Sequence, residues 1–382
     1  MPNSLNLKRI CVVSPTLNAY SETFIRAHIE RLPGEVHVLS GGSLPSHADG
    51  EPLIHDHSSL ARGGFLLKRR LRGLPGDWEA RRLAAVEAFL RRQKIQVVLA
   101  EYGPTGVAMM GLCAKAGIPL VVHFHGHDAY KSSVLEENRH TYPTLFRRAA
   151  AVVAVSQDMV RQLGELGAPA EKLHYNPYGV DMSLFADAAP AQTGPVFLTV
   201  GRFVDKKGPL LTLLAFKQAL AEVPDARLVM IGEGLLFDAA GQLARAMGMG
   251  QAVEFLGAQP HPVVAAIMQG ARAFVQHSLR PGDGDSEGTP VAVLEASGSG
   301  LPVLSTRHAG IPDVVIDGET GILVEEGDVD GMAQAMIRLA RDPQLAARLG
   351  QAGRRRIEER FSMERSIDNL WRIIELTIEE NY

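Results

Sequence analysis

The 382-residue chain reads as an α/β protein of two doubly wound, parallel-sheet domains that face one cleft. Three observations predict this. One hydrophobic core rarely serves more than about 250–300 residues, so two domains of roughly 150 to 200 are expected. The composition is 46% apolar and 21% charged, a globular balance that excludes extended disorder and collagen-like architecture. Short β-branched runs alternate with amphipathic stretches, pause at a small, Pro/Gly-bearing stretch over 186–195, and then resume.

In the first half, 9–14, 36–40, 97–100, 120–124 and 151–155 read as buried strands bounded by Gly, Pro or polar residues. Helix-like segments lie between them, such as 78–93 and 106–116, the second stopping at Gly117, which supplies a left-handed cap. After the pause, strands are expected at 196–200, 227–231, 253–256, 273–276, 302–305 and 321–324. Helices are expected between them at 209–222, 237–246, 262–269, 290–299, 311–316 and 330–340. A last amphipathic helix, 363–382, carries Ile367, Leu370, Ile373, Ile374 and Ile378 at helical spacing. The domains are drawn at 1–188 and 189–362, with 363–382 packing back on the first. Ligands of such sheets bind beyond the carboxyl ends of the strands, so a cleft between two of them can hold two substrates.

Bulk features exclude several classes. The net charge of −4 gives no global reason for nucleic-acid binding. Cys11 and Cys113 lie far apart in apolar surroundings, which speaks against a disulfide framework or a Cys-based metal site. No run approaches the ~20 apolar residues of a membrane span. Residues 10–13 read as a strand rather than a signal-peptide core, so a soluble cytoplasmic enzyme is expected.

Chemistry concentrates in three places. Over 286–300, Thr289 suits a helix N-cap and Pro290 the first helical position. Amides around Gly288 and Thr289, with the helix dipole behind them, suit a diphosphate. Glu287 and Glu295, eight residues apart, would stand on the order of 10 Å from each other. They could address the sugar and ribose ends of one nucleotide-sugar; a dipole-favoured acid and an ordinary surface Glu is the plainer reading. Over 201–208, Gly201 and Gly208 bracket Arg202 and Lys207, a planar fork and a point charge suited to a departing diphosphate; solvated loop charges are the alternative. Over 122–128, His123, His125 and His127 superficially resemble a three-His zinc site, but Gly126 ends the strand and breaks the shared face. A single His125 pointing into the cleft beside a reacting sugar is more economical; a structural histidine is the alternative.

Taken together, Glu287 and Glu295, the segment from Gly201-Arg202 to Lys207-Gly208, the run from Gly300-Leu-Pro through Gly310-Ile-Pro-Asp to Asp317-Gly-Glu-Thr-Gly321, and Pro177-Tyr-Gly-Val-Asp181 are similar to a family 4 retaining glycosyltransferase (glycosyl transferases group 1) of the GT-B fold. The resemblance covers most of the chain, is strong over 196–327 and diffuse over 40–95. It implies two Rossmann-like domains, the first on the acceptor side and the second binding a UDP- or GDP-sugar donor. In that pattern Gly201, Arg202 and Lys207 hold the diphosphate, and the two cations stabilise it as it leaves. Glu295 holds the ribose hydroxyls, Glu287 contacts the transferred sugar, and the amides of Gly288 and Thr289 contact sugar or phosphate. The base lies near Gly232 and Leu256, and His125 approaches the transferred sugar. The resemblance also implies metal-independent catalysis with no cofactor, and retention by same-face attack in which the leaving phosphate takes the acceptor's proton.

One departure stands out. The family's glycine-rich loop after the first strand is replaced by Ser14-Pro-Thr-Leu-Asn-Ala-Tyr-Ser-Glu-Thr23. Ser21, Glu22 and Thr23 could open a helix with amides facing the cleft, Glu22 could bind the acceptor, or Glu22 is a plain helix-start acid. Residues 61–94 hold ten Lys and Arg, and 65–71 within them is short, basic and apolar, which suits an anionic membrane surface. A solvated helix with Leu67 and Leu71 in the core is the alternative. The expected acceptor is a saccharide or lipid-linked saccharide met at the inner face of the membrane, as in cell-surface or exopolysaccharide assembly. A nucleotide-sugar epimerase of GT-B type and a non-catalytic nucleotide-binding or membrane-scaffold protein are the alternatives.

Overall fold

The computed structural model describes residues 7–16, 22–54, 75–185 and 188–381. Two sheets organise them. The first contains β1 (Arg9–Ser14), β2 (Glu35–Ser40), β3 (His47–Ala48), β4 (Glu51–Pro52), β5 (Val97–Glu101), β6 (Leu120–Phe124), β7 (Ala151–Ala154) and β8 (Leu173–Tyr175), in the order β4-β3-β2-β1-β5-β6-β7-β8. All neighbours from β2 to β8 pair in parallel; β3 and β4 form a short antiparallel edge. The second contains β9 (Val196–Val200), β10 (Arg227–Ile231), β11 (Val253–Gly257), β12 (Ala273–Gln276), β13 (Val303–Thr306) and β14 (Gly321–Val324), all parallel, in the order β11-β10-β9-β12-β13-β14. Strand order reverses at β1/β5 in one sheet and β9/β12 in the other. Those are the switch points where a ligand can enter beyond the strand ends.

Every expected strand forms, with ends within one residue, because strands covered on both faces must be apolar throughout. In β1, Cys11 and Val13 face the core that holds Val86, Phe89, Met109 and Phe124, while Ile10 and Val12 face the opposite side. There they meet Ile367, Leu370, Ile374 and Ile378 of the helix Met363–Glu379, which covers the first sheet. Both cysteines are buried free thiols, and burial pushes Cys113 up to about 12.

Three features differ from expectation. The edge strands β3 and β4 and the short β8 carry too few residues to show a period. A helix over Pro343–Arg360 has only a sparse apolar stripe, because Ala346, Gly350 and Gly353 share its buried face with Leu345, Leu349 and Ile357. Small residues are needed there: a Cβ on Gly350 would come within 2.0 Å of the Gly300 carbonyl oxygen. The helix expected to begin at Pro290 begins at Val291, with Pro290 in the cap position and no side-chain cap.

The chain crosses between sheets twice, and the crossings are bonded together. Val180 N donates to Phe361 O (2.9 Å) and Met363 N to Val180 O (3.0 Å). Ser366 Oγ donates to Pro177 O at 2.8 Å, and Asn176 Nδ2 to Ser366 O at 3.1 Å. A Cβ on Gly179 would lie 2.5 Å from Ser362 O and Met363 Cα, both backbone atoms that cannot yield separately. Gly179→Ala is therefore expected to destabilise the protein by about 1–3 kcal/mol, as overpacking does. Gly111→Ala, on an exposed helical position with nothing within 4 Å, should be neutral or stabilising by about 0.5–1 kcal/mol. Thermal or urea unfolding of both variants checks the pair.

Candidate active site

The carboxyl ends of both sheets open on one cleft cavity of about 1270 Å³. On the second-sheet side, β9 ends at Val200 and the chain turns through Gly201, Arg202 and a short turn, Asp205–Lys207. Gly208 follows in the left-handed region (φ 54°), and a Cβ there would sit 2.0 Å from His277 O, so only glycine permits this return into the helix Pro209–Glu222. The turn separates the two lysines. Lys206 is buried and bonds Asp285 Oδ1 and Ser286 O, both at 3.1 Å. Lys207 lines the cavity with its Nζ 3.1 Å from Glu287 Oε1, and the exposed Arg202 lines the cavity beside it. The Lys207–Glu287 contact is close in distance but not aligned as a hydrogen bond, so its attraction is coulombic. Burial works to raise the Glu287 pKa, but Lys207, Lys206 and His308 outweigh it and hold the carboxyl below its usual range.

The loop that carries Glu287 is fixed from behind. Glu287 N donates to His308 Nε2 at 3.2 Å, and His308 Nδ1 lies 2.6 Å from Glu326 Oε1. Gly288 meets the other lobe directly: a Cβ would come 2.6 Å from His125 O and from Val155 Cγ2. The Thr289 hydroxyl donates to Val155 O across the same seam instead of capping its helix, which corrects the expected N-cap role. On that helix, Val291–Gly298, Glu295 reaches the cavity with Oε1 2.7 Å from His261 Nε2, a partner that nothing in the sequence marks. Gly232 also lines the cavity, its Cα so close to Gly201 O that a Cβ would stand 2.0 Å away. Leu256 does not line it. Its carbonyl accepts from Gln259 Nε2 at 2.6 Å, and Ala258 and Gln259 take the wall position expected of it.

On the first-sheet side, Glu22 stands just before the helix Thr23–Arg31 and makes two side-chain bonds: Oε2 accepts from Thr16 Oγ1 and Oε1 from the Tyr102 hydroxyl, both at 2.8 Å. It ties the ends of β1 and β5 together, and Glu22 and Thr23 line the cavity; Ser21 lies outside the described residues. Tyr102 adopts φ 75°, a strained backbone for a bulky side chain, and it too lines the cavity. His125 lines the cavity, stacked on Phe24 at 4.5 Å, but both ring nitrogens are engaged: Nδ1 with the Tyr178 hydroxyl and Nε2 with Glu101 Oε2, each at 2.7 Å. His123 is buried beneath it and His127 is exposed, so the three histidines do not converge. Among the described residues, a different group, His28, Glu101 and His123, brings ligand atoms within 4.8 Å of one another. Glu101, Tyr178, His28 and His261 were not anticipated. The clue available for Glu101 was a carboxylate closing an otherwise apolar strand.

The basic stretch is only partly described. Lys68, Arg69 and Arg70 lie outside the described residues, and 75–92 form a helix whose Arg82 holds the carbonyls of Gly41, Leu44 and Pro45. Among the described residues no helix is long and apolar enough to cross a membrane.

Comparison with known proteins fits this geometry. Residues 183–356 match the family model described as glycosyl transferases group 1, and residues 25–179 that of a glycosyl transferase 4-like domain. The chain is 31% identical over 277 residues to the colanic acid biosynthesis glycosyltransferase WcaL of Escherichia coli K12, covering 71% of this chain and 68% of that protein. It is 31% identical over 261 residues to a GDP-mannose-dependent phosphatidylinositol monomannoside mannosyltransferase of Mycolicibacterium smegmatis, covering 65% and 68%. Alignments to three polysaccharide-assembly relatives span 61 to 68% of their lengths. Anabaena HepE, solved with UDP, shares the fold with a TM-score of 0.73 at 18% identity, over 97% of this chain and 100% of that one. The two facing parallel sheets, the matched models on either side of the cleft and the level of identity together assign this chain to the family 4, group 1 glycosyltransferases of the GT-B fold.

Proposed function

We propose that the protein is a retaining, metal-independent hexosyltransferase that moves a sugar from a UDP- or GDP-sugar to a saccharide or lipid-linked saccharide acceptor. The observation that carries the reading is the cationic end of the cleft: Lys207 and Arg202 line the cavity at the β9 switch point, with Glu287 3.1 Å from the ammonium. A diphosphate laid there meets a fork and a point charge, the sugar lies toward Glu287 and His125, and the ribose toward Glu295. The naming of relatives for colanic acid, amylovoran and phosphatidylinositol mannoside assembly supports a cell-surface saccharide acceptor. HepE was solved with UDP, and the mycobacterial relative is named as using GDP-mannose, which supports a nucleotide-sugar donor without choosing the base. The work is done at the cytoplasmic face of the membrane in this reading.

Glycosyl transfer builds positive charge at the anomeric carbon and negative charge on the leaving diphosphate. Cations already fixed at the leaving oxygens stabilise that state more than the bound substrate, which is the differential catalysis requires. The leaving phosphate, on the face from which it departs, takes the proton of the incoming hydroxyl, so the new bond keeps the donor's anomeric configuration. Glu287 is held ionised by Lys207 and faces the developing positive charge.

Three outcomes are expected. Arg202→Ala and Lys207→Ala should each lower kcat by roughly a hundredfold or more, equivalent to ~3 kcal/mol of transition-state stabilisation, measured by nucleoside diphosphate release with acceptor present. Near wild-type turnover in both would remove the assignment, and release of an altered nucleotide-sugar without acceptor would point to an epimerase. Anomeric NMR of the first product should show retention. The third outcome concerns His261, which Glu295 raises above the ordinary imidazole pKa against the opposing effect of burial. The pair's stabilisation is then fully present below about pH 6.5 and is lost as pH rises through the raised value. The melting temperature of His261→Ala should fall further below wild type at pH 5.5 than at pH 8.5. Saturating nucleoside diphosphate, whose ribose occupies Glu295, should narrow the gap.

A further inference from the structure

Under the cleft floor lies a polar cluster to which the reaction above assigns only one member, His125. Glu101, at the end of β5, is fully buried between two imidazoles: Oε1 is 2.7 Å from His28 Nδ1 and Oε2 is 2.7 Å from His125 Nε2. His123 packs against both rings, stacked on His28 with centroids 5.2 Å apart and tilted against His125 at 4.5 Å. Burial opposes ionisation of Glu101, yet the two imidazoles prevail and hold it far below the usual carboxyl range. An ionised carboxylate can only accept hydrogen bonds. Each imidazole nitrogen facing it must therefore carry a proton.

We propose that Glu101, buttressed by His28, is a positioning residue that locks His125 as the Nε2–H tautomer and so leaves the Nδ1 lone pair to accept from the cleft side. The Tyr178 hydroxyl, 2.7 Å away and also lining the cavity, occupies that acceptor in this structure. A hydroxyl of the transferred sugar takes its place in the complex. This inference rests on the reading that His125 borders the transferred sugar, and adds the residues that decide which ring nitrogen can bond to it. A buried partner that fixes tautomer and ring orientation is the usual means of tuning a working histidine.

Distances favour this over a metal site built from His28, Glu101 and His123. Ligands at about 2.0–2.1 Å around a tetrahedral zinc stand about 3.3 Å from one another. The two Glu101–imidazole contacts are 2.7 Å, the spacing of a proton shared between heavy atoms, and His123 Nδ1 is 3.6 Å from the carboxylate.

The test uses the full chain with 15N-labelled histidine, His125 being assigned by its loss in His125→Ala. Wild type should show His125 protonated at Nε2 and bare at Nδ1. Glu101→Gln keeps the shape but can accept at one end only, so the His125 pattern should change and kcat should fall about 10- to 100-fold, with donor KM within about threefold. His28→Gln, which removes only the buttress, should do the same more weakly, and melting temperatures separate these effects from unfolding. A wild-type His125 protonated at Nδ1, or a Glu101→Gln variant with unchanged spectrum and kcat, would overturn the proposal. So would one equivalent of metal in the purified protein whose chelation abolishes activity. His125→Ala with wild-type kcat would instead remove the sugar contact itself, which separates failure of the underlying reading from failure of the tautomer lock.

Discussion

Two oppositely charged groups buried at the meeting of the lobes, Lys207 and Glu287, impose the constraint on which the cleft depends. Either alone would be expensive to bury, because an unpaired ion in a low-dielectric site loses its hydration without recompense. Together they hold a largely desolvated cation at the cavity wall. Lys206 is matched in the same way by Asp285, which leaves the exposed Arg202 as the cation with no ion-pair partner among the described residues. Two of the three cations are matched by carboxylates, and Arg202 supplies the excess positive charge that the proposed diphosphate site requires. Electrostatics of this kind is preformed, and in the proposed reaction the charges would not need to reorganise as the leaving group departs.

Backbone packing is what allows those charges to face each other. The lobes touch through glycines and main-chain atoms: Gly288 against His125 O, Gly126 against Ser286 O and Gly288 N, Gly310 against the Ser156 side chain. Side-chain bonds close the same seam, with Asp313 Oδ2 accepting from Gln157 N at 2.7 Å and the Lys131 ammonium 3.2 Å from Asp283. Where no side chain stands between two backbones, the separation of the facing strand ends is set by van der Waals contact. The loop bearing Glu287 is therefore held at a fixed height above the floor that His125 and Tyr178 form.

The fold was legible for a reason that also explains where legibility stopped. Parallel strands covered on both faces have to be predominantly apolar, and β1, β5 and β12 show that as apolar runs over 10–13, 97–100 and 273–275, while β6 and β9 each admit one polar residue, His123 and Thr199. The helix Pro343–Arg360 buries Leu345, Leu349 and Ile357 together with Ala346, Gly350 and Gly353, and the small residues that let it lie against Gly300 leave its apolar period too sparse to announce it. In the site, Arg202 and Lys207 stood out because charged residues cluster with glycine just past a strand end, and Glu287 and Glu295 because they precede and lie within a helix that opens beside Gly288 and Thr289. Glu101, Tyr178 and His261 did not, since each acquires its chemistry from a partner distant in sequence: His125 is 24 residues from Glu101, and Glu295 is 34 from His261. The expectation that His125 simply points at the sugar missed that both its nitrogens are already committed.

The paired crossings explain how a two-lobed molecule keeps such a seam in register. Val180 and the 361–363 segment exchange backbone hydrogen bonds, so the outgoing and returning chains form one joint rather than two independent tethers. Beyond that joint the helix Met363–Glu379 buries Ile367, Leu370, Ile374 and Ile378 on the first sheet, and peeling it away would expose several large aliphatic side chains at about 1.5–3 kcal/mol each. Relative movement of the lobes must then turn about the joint or break it. Turning about it preserves the β1 and β9 cores on either side and changes the seam contacts, those made through Gly126, Gly288 and Gly310 and the side-chain bonds beside them. Those contacts lie next to His125 and Glu287, so the geometry that sets the distance between floor and cradle is also the geometry that opening of the cleft would alter first.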